Sequence, residues 1–186
     1  MAKFHVGVSQ GTWGSRFIIA AIVQGGIITF LALSMVGIQI IFASNVNMIQ
    51  FLSLSFEGPA KWFFIGLMLY LILTVAIAVT AVFYNHLEVN MQKVVSGKIR
   101  FLVWIHLLGM NIGGIGTTLA MIFAGLAGSG ALSLVTEGSL GKQNIAIMDS
   151  FIPPIATFIG ILAIGVLCGG LAYTTIYLKK SYNTSQ

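Results

Sequence analysis

The chain is short of charge. Of its 186 residues only 7% are Asp, Glu, Lys or Arg, against about 25% in an ordinary soluble domain, and the shortage is concentrated in particular stretches. Phe17 to Phe56, Trp62 to Leu87, Phe101 to Thr136 and Ser150 to Leu178 carry no charged residue over 40, 26, 36 and 29 positions. The nine basic and four acidic residues crowd into the 55 positions that remain, where their density returns to that of a water-exposed surface. A soluble enzyme would need a polar surface that this composition cannot supply. A transmembrane barrel is excluded too, because it would show alternating segments of about ten residues rather than solid apolar blocks.

Cysteine and proline are also scarce. The single Cys168 lies inside the fourth apolar run, so no intrachain disulfide and no CxxC metal or redox site exists, and it reads as a small core side chain. The three prolines, Pro59, Pro153 and Pro154, stand near the starts of apolar runs, where a missing N–H is tolerated. The net charge of +5 forms no basic patch, and its residues gather at the ends of runs, which excludes nucleic acid as a partner.

What is there is apolar length. About 20 such residues cross a hydrocarbon core about 30 Å thick, and all four runs exceed that. The expected fold is an all-α integral membrane protein, a four-transmembrane-helix bundle forming one membrane domain over residues 1–186. The spans fall at about 16–43, 59–84, 101–128 and 150–178, with outer loops at 44–58 and 129–149 and an inner loop at 85–100. The first run is too long for a signal h-region of about 7 to 15 residues, so it reads as a retained span. The apolar residues between Met48 and Phe56 suit the membrane interface. Asp149-Ser150 is the expected N-cap of the fourth span, and Gly128-Ser129-Gly130 closes the third.

Alternation of spans puts the N-terminus, the 85–100 loop and the C-terminus on one side. Lys3, Arg16, Lys93, Lys98, Arg100, Lys179 and Lys180 lie there, against Lys61 and Lys142 opposite. That seven-to-two bias predicts an N-in/C-in multi-pass protein of the cell membrane with cytoplasmic termini. Trp13, Tyr84, Trp104 and Tyr177 read as an inner aromatic belt and Trp62 as an outer one.

Inside the spans no carboxylate, Lys or Arg is present, which argues against a self-contained proton pump, ion-coupled carrier or voltage sensor. The polar remainder includes Gln24 and Gln39 in span 1, His106 and Asn111 in span 3, and the scattered Tyr70, Thr117, Thr118 and Tyr173. Gln24 and Asn111 are expected to bond across helices, worth roughly 0.6 to 2 kcal/mol each. His5, His86 and His106 invite a metal test. With a rise of about 1.5 Å per residue, His106 sits about 8 Å inside its span while His86 is at the rim, so their depths do not match. No catalytic residue and no metal site is expected, no cofactor is predicted in this chain, and His86 and His106 are the weak candidates for touching one.

Glycine is abundant, at 22 of 186 residues. Gly109 and Gly113 form a GxxxG pair, continued by Gly116, Ala120, Ala124 and Gly128, and Gly165 and Gly169 repeat the spacing in span 4. Small residues at this spacing let two helix backbones approach closely, inside the bundle or against a partner subunit.

Gly97-Lys98-Ile99-Arg100-Phe101, then Trp104, Gly109-Met110-Asn111 and Phe123-Ala124-Gly125-Leu126-Ala127-Gly128 make the third span one that resembles a late helix of the catalytic subunit of haem-copper terminal oxidases. Tyr84-Asn85-His86-Leu87-Glu88 and span 4 are compatible with its flanking helices. That family binds its metals through histidines, including a His-x-His pair on the helix corresponding to span 2. Here span 2 has no histidine before His86, and no His-x-His exists. The resemblance therefore implies an accessory or split membrane subunit, with haem and copper in partner subunits and no catalytic residue of its own.

The function expected is a non-catalytic integral membrane subunit of a multisubunit respiratory oxidoreductase, a haem-copper terminal oxidase complex. It would pack on other integral membrane subunits through its Gly/Ala faces and contact lipid, with a quinone or a soluble electron carrier as partner of the complex. Two other classes fit the same residues: an oligomeric small transporter or channel with His106, Asn111 and Thr117 lining a path, and an accessory subunit of another membrane enzyme such as a copper monooxygenase.

Overall fold

A computed structural model describes residues 12–42, 47, 50–52 and 58–179. Lys3, His5, Glu57, Lys180 and most of the 48–56 segment lie outside the described residues. Among those described the chain is helical and has no strand. Helix α1 is Thr12–Phe42, and α2 is Ala60–Asn85, extended by a π turn over His86–Asn90. The third long helix is composite: α3 over Lys98–Leu108, a π turn over Gly109–Gly113, and α4 over Gly114–Gly128. Two short helices, α5 (Ser133–Glu137) and α6 (Ile145–Asp149), precede α7, Ile152–Leu178. Four helical stretches are long and apolar enough to cross a membrane, at 12–41, 60–90, 98–128 and 145–178.

The helices overrun the charge-free runs at one end of the bundle. The first helix begins at Thr12 rather than 16, the second continues to Asn90 rather than 84, and the third starts at Lys98 rather than 101. The inner loop of 85–100 shrinks to 91–97. Arg16, Glu88, Lys98 and Arg100 sit in terminal turns, where a charge reaches solvent or a helix end and does not interrupt the backbone ladder. The fourth helix opens at Phe151, whose backbone fills the N-cap position with no side-chain cap, and Pro153 lies in the first turn. Asp149 instead closes α6, so the expected Asp149-Ser150 cap is not the one used. The 129–149 loop is also less open than expected. It carries α5 and α6, and Gly130 turns it at φ +78, a left-handed conformation that suits glycine.

Packing is organised around the third helix. In its most apolar stretch 56% of residues are buried, against 17% in α1, 28% in the second helix and 22% in the fourth. Helix α1 leans on α2, α2 on α4, and α7 on α3, the π turn and α4. One apolar cluster gathers Trp13, Phe17, Ile77, Tyr84, Val103 and Ile176, and a second gathers Leu52, Phe63, Ile122, Leu126 and Leu134 nearer the other end.

Glycine makes this packing possible. A Cβ on Gly109 would press on the backbone of Gly165, and one on Gly113 would overlap Leu162. Gly116 lies under the Phe158 ring, Gly125 under the Phe63 backbone, and Gly128 against Pro59 and Met148. Gly66 of α2 completes the α2–α4 contact against Thr118 and Ile122. Of the two packings open to these small residues, inside the bundle or against a partner subunit, the third helix's glycines take the first and meet α2 and α7, forming two faces instead of one ridge. A spacing of four drifts by about 40° per step around a helix of 3.6 residues per turn, so Gly109, Gly113 and Gly116 face α7 while Gly125 has turned to α2. Ala124 is fully buried and Ala120 half-buried.

Candidate functional site

Most hydroxyls are returned to their own helix. Thr74, Thr80, Thr117 and Thr118 donate to the carbonyl oxygens of Tyr70, Ala76, Gly113 and Gly114, at 2.7–3.0 Å. Two clusters of polar side chains bond between helices within the spans, both built on the third helix around its π turn.

The first cluster joins three helices. Tyr70 of α2 donates its hydroxyl to Gln24 Oε1 of α1 at 2.6 Å. Gln24 Nε2 donates to Asn111 Oδ1 at 2.8 Å, and Asn111 Nδ2 donates to Leu107 O at 2.7 Å. A π turn widens the helix and leaves a carbonyl out of the usual i−4 register. The Asn111 amide adds a donor to the Leu107 carbonyl, one turn before it. Each of these polar groups is answered by a strong partner.

The second cluster surrounds His106, which is 8% exposed. Its Nδ1 lies 3.3 Å from the Tyr84 hydroxyl of α2, and its Nε2 lies 2.8 Å from Met110 Sδ, four residues on along the same helix. Phe17 of α1 stacks on Tyr84 at 5.1 Å between centroids and meets the imidazole edge-on at 5.2 Å. Helix α7 passes so close that a Cβ on Gly169 would overlap the His106 ring. Thioether sulfur can only accept, so in an imidazole with one N–H these contacts assign the proton to Nε2 and leave Nδ1 to accept from Tyr84. Tyr84, expected in an aromatic belt, is instead 1% exposed, as is proper for a tyrosine whose hydroxyl has a partner.

This second cluster forms the floor of a cleft of about 450 Å³ between α2 and α7. Thr80, Phe83, Gly170 and Tyr173 line it above His106 and Met110. Phe83 and Tyr173 bridge the two helices with ring centroids 5.7 Å apart. Asn111 lines a separate groove with Arg16 and Trp104, so His106, Asn111 and Thr117 are not brought to one path.

The remaining candidates stand apart. His86 is exposed in its π turn and paired with Asn90 Nδ2 at 3.0 Å. Among the described residues no three His, Cys, Asp or Glu side chains group as a metal site. Sequence reasoning missed two charges in the same turn region. Glu88 accepts from Trp13 N at 2.9 Å, Gly14 N at 3.2 Å and Thr12 Oγ1 at 3.1 Å, capping α1 from a neighbouring helix. Lys93 donates to Tyr177 O and, at 2.7 Å, to Lys179 O, closing the C-terminal end of α7. Acid at an N-terminus and base at a C-terminus both complement the helix dipole. Arg16 sits 4.4 Å and 4.9 Å from the Trp13 and Trp104 ring centroids, within cation–π range. Compared with protein-family models, curated proteins and solved structures, the chain matches none.

Proposed function

We propose that the chain is a non-catalytic integral membrane subunit of a multisubunit respiratory oxidoreductase, a haem-copper terminal oxidase complex, lying in the cell membrane with both termini cytoplasmic. The orientation rests on the seven-to-two distribution of basic residues, and the choice of complex on the third span's resemblance. The observation that carries the supporting role is the outward glycine. Gly26 and Gly37 of α1 and Gly160 of α7 have nothing within 4 Å of where a Cβ would stand. Glycine weakens a helix by roughly 0.5–1 kcal/mol relative to alanine, so bare positions on outward faces favour close approach by another subunit's helix. These faces take over the docking role that the inward glycines cannot fill.

Purification from native membranes in mild detergent, with a visible absorption spectrum of the product, tests this reading. The expected result is a stable complex carrying haem bands and larger membrane subunits. A lone monomer without redox partners would overturn it, and copurification with a copper monooxygenase would move the chain to that enzyme instead.

A further inference from the structure

The cleft between α2 and α7 holds a strong donor, the His106 imidazole N–H, matched to a poor acceptor. His106 Nε2 points at Met110 Sδ at 2.8 Å, and the Thr80 hydroxyl, bonded to Ala76 O at 2.8 Å, stands 4.0 Å from the same sulfur. A thioether accepts weakly and its side chain is flexible, so an oxygen acceptor entering the cleft would take the imidazole N–H at a gain. His106 lies eight residues into the third helix, about 12 Å from its start, at a depth reached from the bilayer. The walls around it are mainly apolar. Gly170 presents bare backbone with open space where a Cβ would stand, and the Phe83 and Tyr173 rings close one side.

We infer that this cleft binds a quinone: a planar, apolar ring whose carbonyl oxygen accepts from His106 Nε2, with its isoprenoid tail running out between α2 and α7 into lipid. The volume falls within the roughly 300–1,000 Å³ of small-molecule sites and takes a ring with the first part of a tail. A phospholipid acyl chain offers neither ring nor acceptor at this depth. The inference does not rest on the subunit reading, since the site is built entirely from this chain.

The test uses the full chain in phosphatidylcholine nanodiscs, titrated with a benzoquinone bearing one isoprene unit. Calorimetry and the histidine ¹⁵N–¹H signals are followed together. Saturable binding that moves the His106 Nε2–H signal is expected, and farnesol, a tail without the ring, should not compete. Gly170→Leu should fill the cleft and weaken binding by about tenfold or more, the equivalent of roughly one good hydrogen bond and its packing, while thermal stability is unchanged. Ala32→Leu, at an exposed position of α1 away from the cleft, should bind like the wild type. If Gly170→Leu fails to fold, Val166→Trp at the same lining carries that arm. Met110→Leu should bind at least as tightly, because it removes the competing sulfur. No saturable binding, equal binding of farnesol, or wild-type affinity in the cleft-filling variant would each overturn the inference.

Discussion

Two polar clusters occupy the same π turn and have opposite characters. Asn111 turns toward α1 and α2 and ends in a chain of bonds of 2.6–2.8 Å among Tyr70, Gln24 and Leu107. Met110, one residue earlier, turns toward the α2–α7 cleft and gives His106 only a sulfur. Both clusters place a tyrosine of α2 against a polar side chain of another helix. What separates them is acceptor quality and access: the first is closed on itself, and the second leaves its best donor under-used at an open wall. Polar groups in an apolar medium are stable when every donor meets a good acceptor. The closed cluster is therefore assigned to holding three helices together and the open one to holding something else.

The strongest way to break the comparison is to remove the scaffold that both clusters share. Gly113→Leu should abolish the folded state, because its Cβ meets the Leu162 backbone, which cannot move aside without the whole of α7. Gly116→Leu should be milder, since it meets the Phe158 ring, a side chain able to turn. The yield of monodisperse protein in detergent measures both, and a wild-type yield from Gly113→Leu would refute the packing. Next in size comes Asn111→Ala, which removes the acceptor of Gln24 Nε2 and the side-chain donor to Leu107 O. The expected loss is about 1–2 kcal/mol by reversible unfolding in mixed micelles, nearer the lower value because polar groups in a membrane find substitutes. It should leave cleft binding intact, and loss of both together would show that the clusters are one. Smaller again is Glu88→Gln, which removes the charge and one of the two oxygens that accept from the start of α1, costing about 0.5–1 kcal/mol. Because Phe17 of α1 covers His106, local opening measured by hydrogen exchange should rise first around the open cluster.

The four helices were legible because charge is missing from long blocks, a signal that depends only on the solvent. Their ends were less so. Arg16, Glu88, Lys98 and Arg100 end the apolar runs without ending the helices, since each finds aromatic faces, helix termini or solvent in a terminal turn. Gln24 and Asn111 stood out as polar residues in apolar blocks, and Asn111 makes their direct bond from within a π turn, which no pattern in the sequence announces. Met110 was invisible for the same reason, because a methionine in an apolar helix has nothing to mark which neighbour its sulfur meets. The glycine spacing was legible and its direction was not. Gly66 and Gly125, which join α2 to α4, fall outside the period-four series that draws the eye.

The finest probe applies one chemical change to both clusters. Tyr70→Phe and Tyr84→Phe each delete a single hydroxyl from α2 without changing ring volume. In the closed cluster the lost bond is 2.6 Å to the amide oxygen of the buried Gln24, so about 1 kcal/mol should be lost. In the open cluster the bond is 3.3 Å, longer than the usual range for a hydroxyl donor, and the Phe17 stack on the ring survives the change. Tyr84→Phe should therefore cost less than half as much in the same unfolding assay. Its larger effect should appear in the ¹⁵N spectrum of His106, where loss of the hydroxyl frees Nδ1 and lets the ring proton shift between the two nitrogens. Equal stability losses, or an unmoved histidine spectrum in Tyr84→Phe, would mean that the two clusters do the same job and that the difference in their geometry carries no functional weight.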